Sequence, residues 1–101
     1  MPELTVISWR DIPAQVTAGK GRNASRAQLS DRFQEAIDAA AMRAGLIGTD
    51  SYLEEWRRDS KECGNDLEAE VAATAAQLEQ DYTDERLERL VRSNGEEENN
   101  A

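Results

Sequence analysis

The sequence predicts an α+β fold: an N-terminal β-hairpin or pair of edge strands, packed by about four helices and followed by a disordered acidic tail. Three observations predict it. Between Leu4 and Ala18 the apolar residues are mostly β-branched or alternate with polar ones. From Leu29 onward they recur at helical spacing instead. From Ser93 the chain reads SNGEEENNA, with no apolar side chain large enough to pack. Residues 1–93 are therefore expected to form one small domain, and 94–101 its tail.

Leu4 to Trp9 is rich in β-branched and aromatic residues on both faces, as in a strand that is covered, or nearly covered, on both sides. Ile12, Ala14, Val16 and Ala18 alternate against Pro13, Gln15 and Thr17, giving a half-buried second strand. Pro13 cannot donate to a ladder, so this strand is expected at an edge or to begin after the proline. The Arg10-Asp11 link suits a hairpin by length but lacks the glycine that two-residue turns usually require.

Leu29, Phe33, Ile37, Ala40, Ala41 and Ala44 line one face of the first helix, with Ser30 as N-cap and Gly45 as its left-handed stop. Thr49 opens a short helix with Tyr52, Leu53 and Trp56 inward, and Asp59 to Gly64 reads as a loop. Asn65 with Glu68 resembles a capping box for a third helix, striped by Leu67, Val71, Ala75, Leu78 and Tyr82. Leu87, Leu90 and Val91 fall out of phase with that stripe, and Thr83-Asp84 offers a new cap, so a break is expected there.

Charge narrows the function. The net charge is −9, and it is segregated: residues 1–47 carry six basic and five acidic side chains, residues 48–101 six and sixteen. Such an acidic half argues against duplex DNA or an anionic membrane as partner. A single cysteine, Cys63, excludes an intrachain disulfide, and the absence of histidine removes the commonest general base and metal ligand. No cofactor or metal site is expected. With no secretory head and no long apolar run, the cytoplasm is the expected compartment.

Two surfaces stand out. Gly19-Lys20-Gly21-Arg22-Asn23-Ala24-Ser25-Arg26 puts three cations in seven residues beside glycines that permit close approach of an oxyanion. The following helix could add N–H groups if its start folds back. Lys20, Arg22 and Arg26, assisted by Arg10, are thus candidates for a phosphorylated ligand or RNA. Trp9-Arg10 could stack a planar group, although a strand-end Trp is more often core. Trp56-Arg57 repeats the pairing, and if both tryptophans share a surface their arginines could form one anion pocket. The second surface is the edge of the second strand, where Gln15 and Thr17 could receive a partner's backbone. Cys63, among mainly acidic neighbours, is expected to be inert.

The runs SWRDIPAQV, GKGRNASRAQLSDRFQEAIDAAAMRAGL and TDSYLEEWRR, in that order, resemble the small bacterial family known as the virulence factor domain. The likeness covers roughly residues 4–60 and is looser beyond about residue 64. It implies a stand-alone protein or a module of longer helical-repeat chains, and it brings no catalytic residue. The sequence thus leads to a non-catalytic adaptor that binds another protein, with binding of a phosphorylated ligand or RNA as the rival.

Overall fold

Glu3–Trp9 forms β1 and Ile12–Ala18 forms β2, paired antiparallel through the Arg10-Asp11 turn. Arg10 itself supplies the left-handed residue that the turn needs, at φ +54°. Its neighbours hold it there. Its N–H donates to the Glu55 carbonyl at 3.0 Å, Nη1 donates to the Asn94 carbonyl at 2.8 Å, and the guanidinium lies over the Trp9 ring. The computed structural model describes residues 2–96.

The sheet has four strands rather than two, in the order β3-β2-β1-β4, all neighbours antiparallel, with β3 at Ser25–Gln28 and β4 at Trp56–Glu62. This corrects two expectations. Residues 59–62 continue a strand instead of opening a loop, and β2 lies inside the sheet rather than at its edge. Pro13 is tolerated there because the register shifts between Ile7 and Ser8, leaving Ala14 bulged where the ladder is interrupted. Trp56 begins β4 instead of ending a helix, and it faces Trp9 across the pair.

The helices are Asp31–Arg43 (α1), Asp50–Glu54 (α2), Leu67–Asp81 (α3) and Asp84–Arg92 (α4). The α1 stripe is buried as its spacing demands, with Phe33, Ile37, Ala40 and Ala41 sealed against Trp9, Ile12, Leu87 and Leu90. Leu46 N–H to Ala41 and Gly45 N–H to Met42 close the helix in a Schellman turn with Gly45 at φ +72°. α2 buries none of its residues fully: Tyr52 is half-buried, its ring centroid 5.7 Å from that of Trp9, and Leu53 is exposed. α3 packs Val71 on Leu4, Val16 and Ala18, forming a second cluster. Its cap is Asp66, which accepts from the Ala69 N–H, rather than Asn65. The break before α4 falls at Tyr82, with Thr83 as the new cap.

Helices α1 and α3 cap each other. Ser30 donates from its backbone N–H and its hydroxyl to the Glu79 carboxylate, while Arg32 donates to the Glu79 and Tyr82 carbonyls at the end of α3. Burial opposes ionisation of Glu79, but the Ser30 and Arg32 bonds outweigh it and hold its carboxyl below the ordinary carboxylate value.

Order also extends past Ser93. Asn94, at φ +60°, donates to Val91 and Gly95 donates to Leu90, closing α4 in a second Schellman turn. Gly95 is buried, and its carbonyl accepts from the Asp11 N–H at 2.8 Å. The start of the expected tail is therefore part of the domain, and residues 97–101 lie outside the described ones.

Candidate functional site

After β2 the chain reverses through Gly19 and Gly21, at φ +85° and +65°, and a 3-10 turn at Gly21–Asn23. The two glycines serve that reversal. The chain then enters β3, so the N-terminus of α1 starts four residues beyond the basic run and is occupied by Glu79. It adds no N–H groups to the basic turn.

β3 pairs only with β2, and one bond fixes which of its groups are spent. Leu29 N–H donates to the Ala14 carbonyl at 3.0 Å, in phase with the register Val16↔Ala27 and Ala18↔Ser25. Antiparallel ladders alternate, so the intervening residues Arg26 and Gln28 direct their N–H and C=O away from β2. Four backbone groups thus face outward along a short stretch.

Hollows flank this edge on both sides. One of about 380 Å³ lies between β3 and α3 and is lined by Ala24, Ala27, Val71 and Ala72, with Glu68 at its side. The other, of about 420 Å³, is formed by Gln15, Arg26, Ala27 and Gln28. Lys20, Arg22 and Arg26 are exposed, and among the described residues their side chains have no ion pair or hydrogen bond.

The predicted site residues therefore regroup. Lys20, Arg22 and Arg26 share one end of the sheet with Thr17 and Gln15, which face Arg26 and Gln28 across the β2–β3 pair. Gln15 and Thr17 do not offer an open edge, because β3 covers it; the open edge is one strand further out. Arg10 lies at the other end of the hairpin, roughly 20 Å away for a seven-residue strand. It is held by Asn94 and Glu55. Trp9 is 0% exposed, so it cannot stack on a ligand. β3 itself was not legible in the sequence, since Ser-Arg-Ala-Gln has no β-branched or aromatic residue.

Trp9 and Trp56 do face each other, and the arginines that follow them, Arg10 and Arg57, line one cleft. Cys63 is half-buried at the end of β4, where burial and then the Glu70 carboxylate push its thiol up. No helix among the described residues is long and apolar enough to cross a membrane.

Among known proteins, no curated relative and no solved structure matches this chain. The sequence model described as "Virulence factor" matches residues 7–91, which takes in the basic turn, the β3 edge and the second half of the domain, where the resemblance was looser. Because that match spans well over half of the 101 residues, the chain belongs to the virulence factor family.

Proposed function

We propose that this chain is a cytoplasmic, non-catalytic protein-interaction domain that takes an extended acidic segment of a partner protein onto the free edge of β3. The observation that carries the reading is the coincidence at one place of outward backbone groups, two flanking hollows and three uncompensated cations. A strand added here would bond Arg26 and Gln28, and its alternate side chains would enter the two hollows. Four backbone bonds at about 1 kcal/mol each give only about 4 kcal/mol, near millimolar affinity. Micromolar capture must therefore draw on the hollows and on charge, which selects acidic segments. The same cations would attract RNA, but the sheet positions beside them (Thr5, Gln15, Thr17, Gln28) offer no aromatic ring on which a base could stack.

Gln28→Pro tests the reading. Its N–H points away from β2, so proline removes an outward donor without breaking a rung of the sheet. A tagged wild type should recover a partner from the native host. Gln28→Pro should lose that partner while melting normally, and Lys20→Ser, Arg22→Ser and Arg26→Ser together should weaken it in a salt-dependent way. Undiminished capture by both variants would refute the reading.

A further inference from the structure

At the opposite end of the sheet a cleft of about 260 Å³ opens between the β1–β2 turn, β4 and the α3–α4 junction. Arg10, Arg57 and Arg86 line it, together with Ser8, Tyr82 and two aspartates, Asp11 and Asp59. We infer that this cleft is a second ligand site, independent of the β3 edge, and that it takes the phosphate group of a phosphomonoester or of free phosphate.

Unmet donors carry the inference. Ser8 is 9% exposed, it lines the cleft, and its hydroxyl has no hydrogen-bond partner among the described residues. The Nε–H of Arg10 is buried and also has no acceptor. A buried donor left unpaired is costly, and the Arg10 Nε–H is such a donor. The partnerless Ser8 hydroxyl, which solvent still reaches, lies in the same lining, so both are open to an acceptor-rich occupant. Arg57 faces Ser8 across the β1–β4 pair and donates to Asp11 through Nη1 at 3.2 Å, leaving the rest of its guanidinium edge to the cleft. Arg86 is held over the Tyr82 ring at 4.1 Å, with Nη1 donating to the Asp81 carbonyl, so its charge is positioned before a ligand arrives.

The aspartates decide the kind of oxyanion. Three arginines stand against two aspartates in the lining, and Arg10 is also paired with Glu55 at 3.4 Å, so no net positive charge remains and the site is not built on charge alone. Asp59 has no described partner, and its carboxylate would repel a ligand that is purely an acceptor. Inorganic phosphate at neutral pH instead offers a P–OH that Asp59 accepts, and a phosphomonoester offers one below its second pKa of about 6, while the other oxygens meet Ser8 and the arginines. Sulfate has no such proton at neutral pH, and a carboxylate has only two oxygens.

The test is an NMR titration of the whole chain with inorganic phosphate, O-phosphoserine and sulfate at a pH of about 5.5, where both phosphates carry a proton on oxygen. Both phosphate probes should bind saturably, shifting the amides of Ser8, Arg57 and Asp59, with sulfate at least tenfold weaker. Tighter binding of O-phosphoserine would mark a phosphomonoester as the ligand, and equal binding free phosphate. Arg57→Gln, at a half-exposed side chain, should weaken binding tenfold or more, and Ser8→Ala several-fold, both without lowering the melting temperature. Asp59→Asn should narrow the gap between phosphate and sulfate, and replacing Lys20, Arg22 and Arg26 with Ser should change nothing. Absence of saturable binding, equal affinity for sulfate, or binding that survives Arg57→Gln but is lost with the basic turn would overturn the inference. None of these outcomes bears on partner capture at β3.

Discussion

Phe33 is fully buried between α1 and the sheet, and its truncation leaves a cavity that the surrounding helices cannot fill. Phe33→Ala should cost about 3–5 kcal/mol by chemical denaturation, close to the whole stability of a domain this size. A normally melting variant would contradict the packing of α1. Gly95 acts through space rather than volume. It sits at φ +90°, and a Cβ there would lie 2.7 Å from the Trp9 ring. Gly95→Ala should therefore destabilise by about 1–3 kcal/mol, a fall of several degrees in melting temperature. A melting temperature unchanged from wild type would show that the Trp9 contact is not formed. The two residues differ in legibility. Phe33 announces itself by its spacing from Leu29 and Ile37, whereas Gly95 looks like part of a polar tail until Trp9, at the far end of the sequence, is placed against it.

At the level of elements, the exchange of caps between α1 and α3 gives a signature in pH. Glu79 has a lowered pKa in the folded chain, so its contribution is complete above the ordinary value of 4.5 and is lost as pH falls through the folded one. Glu79→Gln should cost about 1 kcal/mol at neutral pH, modest because the ion pair is partly exposed. The difference from wild type should shrink under acid, and a constant difference across pH 3 to 7 would rule out this coupling. Helices were readable here because their stripes and caps are local: the Ser30, Gly45 and Thr83 boundaries all stand where the sequence puts them. The strands β3 and β4 were not. Each is a sheet edge, paired on one side only, and neither needs the apolar alternation that marks a strand in sequence. Five of the eight residues from Arg57 to Gly64 are charged, and the rest are Ser60, Cys63 and Gly64; that composition resembles a loop until β1 supplies the partner.

Over the whole molecule, charge and backbone supply meet at one end of the sheet. The sequence separated a cationic loop from an edge strand and treated them as rivals. In the fold the loop leads directly into the edge, and Arg26 belongs to both. The edge lies one strand beyond Gln15 and Thr17, a displacement made by β3, whose Ser-Arg-Ala-Gln carries no strand pattern that could be read locally. Strand addition at β3 would show in amide hydrogen exchange on the purified complex. With the captured partner bound, the outward amides of Arg26 and Gln28 should gain protection while those of β4 exchange as in the free chain, and Gln28→Pro should abolish the complex. Protection that appears along β4 instead, or a Gln28→Pro complex as tight as wild type, would contradict it.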